Sequence, residues 1–217
     1  MKKIVYTIVT DLKLYEKIKC IKKFTSGWDY NILLSENKKL LTNWGIIHIN
    51  KKIKCKLLLS RYYKINIIKL NNFINKNDIT LYIDSKFTIN YNLDLFWEKF
   101  YNDKNLDLVF MKHKKHNCLY KEAEFCINHN IGDKEKILKQ IEKYKKEKMP
   151  ENFGLFSPGI MLRKHNDRTN KLMKTWWNEI KNTENYRDQI SLPYAIWKNK
   201  NVKFKLLDFN NTYKMHI

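Results

Sequence analysis

The chain has 217 residues, of which 43% are hydrophobic, so it can bury the core of one substantial domain. Five glycines and three prolines exclude collagen-like and low-complexity classes, and no apolar segment reaches the roughly 18 residues of a membrane span. A net charge of +21 favours anionic partners. The four cysteines are widely spaced and form no C-x-x-C pair, as is typical of reduced thiols. We predict a soluble, cytoplasmic protein with a single domain over residues 1–217.

Short β-branched segments alternate with segments whose apolar residues recur at helical spacing. The predicted strands are residues 4–9, 30–34, 44–49, 79–83, 106–111, 159–162 and 202–207. The predicted helices are residues 15–24, 61–70, 93–102, 120–128, 133–148, 170–180 and 188–197. The alternation of strands and helices in the first half predicts an α/β fold with a mostly parallel central sheet and helices on both faces.

The strand predicted at residues 79–83 is apolar and stops at a carboxylate, Asp84. In open α/β sheets, ligands bind at the carboxyl edge of the strands. Enzymes that use nucleotide sugars often place an Asp-x-Asp motif there to hold a divalent metal under the diphosphate. This chain has Asp84-Ser85-Lys86. Asp84 is a candidate for a metal or ribose contact, with a turn or N-cap role as the alternative, and Lys86 could neutralise a diphosphate directly.

Two cations lie three residues apart in a predicted helix. Arg61 and Lys64 therefore share one helical face. Arg61 can grip a phosphate through two parallel hydrogen bonds, and Lys64 can add a point charge. The alternative is that both are ordinary surface cations.

A loop and helix after the strand at 106–111 carry two imidazoles and two carboxylates within twelve residues: His113, His116, Glu122 and Glu124. The two glutamates are spaced two apart, so we expect only one of them to face a site. Zinc binding is one interpretation, but the spacing matches no standard zinc-ligand set. Binding of sugar hydroxyls or proton transfer suits these groups better.

The helix predicted at 188–197 begins within a polar segment, Arg187-Asp188-Gln189, and either Asn185 or Asp188 could start it. Asp188 could serve as the N-cap of this helix. Alternatively, Asp188 could deprotonate an attacking hydroxyl group while Arg187 stabilises the charge that develops in the reaction.

Several short pieces occur together in a characteristic order: Tyr6-Thr7, Ser60-Arg61 with Lys64, residues 81–85, His113, residues 118–123, residues 159–163 with His165-Asn166, residues 176–180 and residues 187–191. Their order resembles a glycosyltransferase-like family that was long catalogued as a domain of unknown function. Its members include plant proteins linked to turgor regulation and seed mucilage. The pieces span residues 4 to 197, nearly the whole chain. One departure is His113-Lys114-Lys115-His116, where the family usually shows His-Pro-x-Arg.

The resemblance implies a GT-A nucleotide-diphospho-sugar transferase that uses Mn²⁺ or Mg²⁺ and acts on a glycan or glycoprotein acceptor. It leaves open whether the nucleotide is of the uridine or the guanosine type. The expected donor contacts are Thr7, Asp11, Arg61, Lys64, Asp84 and Lys86. The expected acceptor or sugar contacts are His113, Glu122, Arg187 and Gln189, the expected metal ligands are Asp84 and His216, and Asp188 is the expected catalytic residue.

The stereochemistry has two interpretations. An Asp at this helix start resembles the base of inverting transferases, which must reach the acceptor hydroxyl. The Asp-Gln pair also resembles retaining galactosyltransferases. We favour inversion.

Three other interpretations follow from charge and from Lys86. A basic nucleic-acid-binding protein is disfavoured, because the sequence has no helix-turn-helix, zinc-finger or RNP signature. A non-catalytic relative that binds sugar nucleotides is suggested by the lysine at the second position of Asp-x-Asp. Peripheral contact with anionic lipid is compatible with the charge.

Overall fold

The structure is a computed structural model that describes residues 1–11, 24–37, 39–70, 72–85, 87, 89, 92–101 and 105–207. Of the helix predicted at 15–24, only Phe24 is described. The predicted donor contact Lys86 and the predicted metal ligand His216 also lie outside the described residues.

Seven strands form one sheet in the order β3-β2-β1-β4-β6-β5-β7. The strands are β1 (Lys3–Val9), β2 (Trp28–Leu34), β3 (Gly45–His48), β4 (Ile79–Ile83), β5 (Leu108–Lys112), β6 (Phe156–Lys164) and β7 (Phe204–Leu207). The pairings β1–β2, β1–β4, β2–β3 and β5–β7 are parallel, and β6 runs antiparallel to both β4 and β5. The predicted mostly parallel sheet is confirmed.

The described helices are α1 (Lys56–Asn66), α2 (Leu93–Tyr101), α3 (Leu119–Asn128), α4 (Lys134–Lys146), α5 (Asp167–Thr183) and α6 (Asp188–Lys198). A 3₁₀ turn, Ile67–Lys69, follows α1. The helix predicted at 61–70 therefore begins and ends earlier than expected. Its N-cap, Cys55, makes no side-chain capping bond, so the sequence carries no start signal there. In the described part of the chain, no helix is both long enough and apolar enough to traverse a bilayer.

Helices cover both faces of the sheet, as predicted. Alternate residues of β1 point to opposite faces: Tyr6 and Ile8 join the core beneath α1, α5 and α6, while Val5 and Val9 join the core that includes α2. A third apolar cluster packs α3 and α4 against α6. This arrangement leaves the carboxyl ends of β1, β2, β4 and β5 at one edge of the sheet.

A bulge in β6 lies beside the end of β4. The register between β5 and β6 shifts between Phe110 and Met111. Pro158, which cannot donate a ladder hydrogen bond, occurs at this shift. The next residue, Gly159, accepts a 2.8 Å hydrogen bond from the Asp84 N–H, and a Cβ at Gly159 would lie 3.2 Å from the Phe87 ring. Bulges often re-aim side chains beside active sites, and this one fixes the backbone of Asp84.

Candidate active site

The carboxyl edge of the sheet gathers acidic side chains. Asp84 follows β4 directly and is half-buried, not directed away into solvent. Asp11 follows β1, and its Oδ2 lies 3.4 Å from Lys56 Nζ. Glu36, after β2, places Oε1 3.8 Å from the same nitrogen. Because Lys56 is the first residue of α1, the start of this helix is also at the carboxyl edge.

A buried double ion pair joins α1 to α6. Lys64 Nζ donates to Asp188 Oδ2 at 2.6 Å, and Arg61 Nε lies 3.1 Å from the same oxygen. The side chains of Lys64 and Asp188 are only 3% and 6% exposed, whereas Arg61 is 18% exposed. Burial alone would raise the pKa of Asp188, but the charges of Arg61 and Lys64 outweigh it and hold that pKa at about 2. Burial lowers the pKa of Lys64, and Asp188 opposes this shift.

Asp84 is electrostatically linked to this ion pair. Burial lowers the pKa of Lys64, and the charges of Asp188 and, to a smaller extent, Asp84 act against that shift. For Arg61, burial also acts to lower the pKa, but the charge of Asp188 together with smaller effects, including that of Asp84, outweighs burial and raises the pKa. The Lys64 ammonium lies 5.1 Å from the centre of the ring of Tyr82, which is two residues before Asp84. Burial, and then the charge of Asp84, raise the pKa of Tyr82 well above its ordinary value. Asp84 is therefore close enough to Arg61, Lys64 and Tyr82 for its charge to influence all three.

Arg163 forms hydrogen bonds at the C-terminal end of α1. It is fully buried on β6 and donates from Nη1 to the Ile65 carbonyl at 2.9 Å and from Nη2 to the Tyr6 hydroxyl at 3.2 Å. The Tyr6 hydroxyl donates to the Lys64 carbonyl at 3.0 Å. These carbonyls belong to the last turn of α1, so Arg163 and Tyr6 satisfy its free C-terminal acceptors. The sequence-based site residues omitted Arg163, although an arginine inside an apolar strand was a signal for it.

Glu122 is the centre of a second cluster. It lies buried in the first turn of α3, and its Oε2 is 3.0 Å from His116 Nδ1. Its other oxygen, Oε1, accepts from Arg187 Nη2 at 3.2 Å. The same Arg187 nitrogen donates to Gln189 Oε1 at 3.1 Å. Glu124 is exposed, so only one of the two glutamates faces this cluster.

His113 completes this cluster from the end of β5. Its Nε2 lies 3.8 Å from Glu122 Oε2, and its Nδ1 accepts from the His116 N–H at 3.2 Å. Burial lowers the pKa of His113, with Glu122 acting in the opposite direction. One chain of contacts therefore joins the four residues that the sequence predicted for the acceptor side: His113 to Glu122, Glu122 to Arg187, and Arg187 to Gln189.

The segment 187–189 connects the two clusters. Asp188 points to the cations of α1, while its neighbours Arg187 and Gln189 turn to the Glu122 cluster. Asp188 is the first residue of α6 rather than its N-cap, which is Arg187. The alternative N-cap role of Asp188 is therefore wrong, because its carboxylate is engaged by the side chains of α1.

Thr7 is not brought to these residues. It is buried in the middle of β1, on the face shared with Val5 and Val9, and α1 with Arg61 covers the other face. Within the described residues, the Thr7 hydroxyl has no hydrogen-bond partner. Binding by Thr7 and by the other named residues stays a prediction.

The sequence was compared with known protein families. The family model of the TOD1/MUCI70 glycosyltransferase-like domain matches residues 25–217. The chain belongs to this family. Among curated protein sequences, none matches this TOD1/MUCI70 chain.

Solved glycosyltransferase structures resemble this TOD1/MUCI70 domain. The core-mannan synthase A (CmsA/Ktr4) of Aspergillus fumigatus, in its Mn/GDP form, is 11% identical with a TM-score of 0.52, covering 97% of this chain and 73% of that chain. Mouse xyloside xylosyltransferase 1, in its apo form, is 12% identical with a TM-score of 0.48, covering 95% and 84%. The mannosyltransferase Ktr4p of S. cerevisiae is 12% identical with a TM-score of 0.49, covering 94% and 68%. The likeness to the core-mannan synthase establishes the GT-A fold.

Proposed function

We propose that this domain transfers a sugar from a nucleoside-diphosphate donor to a hydroxyl group of a glycan or glycoprotein acceptor. The observation that carries the proposal is the half-buried carboxylate of Asp84, at the carboxyl end of β4 and electrostatically coupled to Arg61 and Lys64. Ligands of open α/β sheets bind at this edge. Membership of a glycosyltransferase-like family and the GT-A fold support the proposal.

The proposed donor site stabilises the departing diphosphate by charge. Preorganised cations and hydrogen-bond donors aimed at developing charge commonly provide the largest catalytic term. Arg61 and Lys64 together carry one more unit of charge than Asp188 neutralises. Because the close ion contact of Arg61 with Asp188 is at Nε, the terminal amino groups of Arg61 can form two parallel hydrogen bonds to a phosphate. The Lys64 ammonium is too deeply buried to contact the phosphate, so Lys64 contributes only through its positive charge.

A divalent ion is compatible with Asp84. Mg²⁺ and similar ions are held by one or two carboxylates together with substrate phosphates and water. Asp84 would hold Mn²⁺ or Mg²⁺, and the bound ion would supply neutralisation of the diphosphate. Within the described residues, no group of three metal ligands includes Asp84, so the proposal assigns part of that neutralisation to Arg61.

We propose that Asp188 positions Arg61 and Lys64. A general base works best when its pKa is near the operating pH, and a carboxylate with a pKa of about 2 is a weak base. The role predicted from sequence, in which Asp188 deprotonates the acceptor with inversion at the anomeric carbon, is the competing proposal. The NMR coupling of the anomeric proton in the product distinguishes inversion from retention.

The transferase proposal is tested with the purified chain and a panel of UDP-sugars and GDP-sugars. GDP-sugars are included because the core-mannan synthase was solved with GDP and manganese. Nucleotide release is measured with and without glycan acceptors and with and without Mn²⁺. We expect turnover with at least one donor and a loss of about 100-fold in Asp84→Asn. Asp29→Asn, exposed near the opposite edge on β2, is the matched control and should turn over normally.

Two results would count against a sugar transferase, and a third would count against the role of Asp84. Donor binding without turnover would identify a non-catalytic relative. Turnover that is unchanged in Asp84→Asn would remove Asp84 from the site. A salt-sensitive complex with DNA in the absence of donor binding would favour the nucleic-acid alternative.

A further inference from the structure

We propose that His113, His116 and Glu122 form a binding site for a transition-metal ion, for which zinc is the best match. The site lies where β5 ends and α3 begins. One ligand atom from each residue lies within 4.8 Å of the other two, and this is the only such group of three in the described part of the chain. The site does not include Asp84, and the inference does not depend on the proposed transferase activity.

The ligand set fits zinc better than the ions that bind phosphates. Two imidazoles and one carboxylate form the protein ligands of several zinc sites, which keep a fourth position open. Imidazole nitrogen favours zinc, copper and nickel, whereas magnesium and manganese prefer oxygen. Metal–ligand bonds of about 2.1 Å in a tetrahedron separate the ligand atoms by roughly 3.4 Å. Glu122 Oε2 is 3.0 Å from His116 Nδ1 and 3.8 Å from His113 Nε2, which brackets this separation.

The surrounding residues orient Glu122 for this role. Arg187 Nη2 donates to Glu122 Oε1 at 3.2 Å, and Cys126 Sγ lies 3.7 Å from the same atom. These contacts hold one carboxylate oxygen and leave Oε2 directed at both imidazoles. Ligating carboxylates are commonly fixed by such outer hydrogen bonds. Arg187 and the metal ion are both positively charged and repel each other. Arg187, however, contacts Oε1, the carboxylate oxygen that does not face the imidazoles.

Two existing hydrogen bonds must be lost when the metal binds: the one from the His116 N–H to His113 Nδ1, and the one from His116 Nδ1 to Glu122 Oε2, because His116 Nδ1 must give up its proton to bind the metal. The His116 N–H donates to His113 Nδ1, which places the proton of the neutral imidazole on Nε2. When Nε2 binds the metal, that proton moves to Nδ1 and the bond from His116 breaks. Two hydrogen bonds, one of them to a carboxylate, contribute less than the bonds to zinc that replace them, so these losses do not prevent binding.

The site is accessible. The side chains of His113 and His116 are 17% and 21% exposed, so an ion can enter from solvent. An arginine at position 116 could pair with Glu122 but has no lone pair to offer a metal.

The test uses the full chain, purified without a polyhistidine tag and treated with a chelator. It is titrated with Co²⁺, followed by visible absorption, and then with Zn²⁺ to displace the cobalt. We expect one tightly bound ion per chain with the spectrum of a low-coordinate site containing nitrogen ligands. His116→Arg keeps a cation beside Glu122 and should weaken binding by more than about 100-fold, since loss of outer partners alone costs 10- to 100-fold.

A second variant and a control complete the experiment. His113→Asn should weaken binding as His116→Arg does, and circular dichroism checks that both are folded. His129→Arg is the control, because His129 is exposed beyond α3 and stacks on Phe125. The proposal is overturned if no cobalt spectrum appears, if binding survives both variants, or if the control loses it equally. Since no nucleotide sugar is present, such a failure would leave the transferase proposal unaffected.

Discussion

Asp188 Oδ2 lies 2.6 Å from Lys64 Nζ, although 124 residues separate the two in the chain. This contact joins the first residue of α6 to the last turns of α1, and it leaves Arg61 on the more exposed side of the same carboxylate. Removing one partner of a buried pair is destabilising, because the other charge is left without compensation. The ion pair is therefore both a link in the fold and the support of the proposed phosphate-binding cation.

Asp188→Asn should lower the free energy of unfolding by about 3 to 5 kcal/mol, since it leaves Lys64 and Arg61 without a buried counter-charge. Urea denaturation at neutral pH measures this change. The control is Asp167→Asn, which breaks an exposed ion pair with Lys76 and should cost about 1 kcal/mol or less. If both variants lose the same small amount of unfolding free energy, the buried ion pair contributes no more to stability than an exposed pair does.

Acid should weaken the wild-type protein through the same carboxylate. The folded pKa of Asp188 is about 2, below its ordinary value of 3.8, so its contribution is present above pH 3.8 and is lost as the pH falls through 2. A difference of nearly two units corresponds to about 2.5 kcal/mol.

The comparison that isolates this effect is the gap in unfolding free energy between wild type and Asp188→Asn at several pH values. We expect the gap to narrow between pH 5 and pH 2, because the variant has no carboxylate to titrate at this position. A gap that is constant over this range would mean that Asp188 is not the titrating group.

The sequence predicted the strands well because they are short and β-branched, and most of them are buried. Residues 79–83 were predicted as a strand with the bounds that the structure has. The strand at 159–162 was predicted too short, since Pro158 normally ends a strand and here lies in a bulge. The antiparallel direction of β6 could not be read from the sequence, because an apolar pattern carries no direction.

The contacts of the site were less predictable than its residues. The residue types at 61, 64 and 188 indicated charge chemistry, but only tertiary structure brings Asp188 to two cations of a helix far away in sequence. Spacing alone likewise gave no zinc pattern for His113 and His116. Their ligand atoms converge on Glu122 because the loop after β5 folds back onto α3.

Arg61→Lys tests whether Arg61 grips the donor. Lysine keeps the charge but cannot form two parallel hydrogen bonds, so we expect the donor KM to rise about tenfold with a smaller change in kcat. The control is Arg168→Lys, whose arginine binds Asp107 ahead of β5, at the opposite edge of the sheet. If Asp188 only positions Arg61, Asp188→Asn should show the same KM effect. A fall confined to kcat in Asp188→Asn would instead identify Asp188 as the base.

Arg163→Lys tests the support beneath α1. Lysine retains a buried charge but lacks the fork that reaches both the Ile65 carbonyl and the Tyr6 hydroxyl. We expect a loss of about 2 to 3 kcal/mol in unfolding free energy, because buried acceptors are left without a donor. Tyr6→Phe should cost about 1 kcal/mol, and the double variant should cost less than the sum, because the two side chains share one network. Additive losses would mean that Arg163 and Tyr6 hold α1 independently, in which case the hydrogen bond between them does not help to position Arg61.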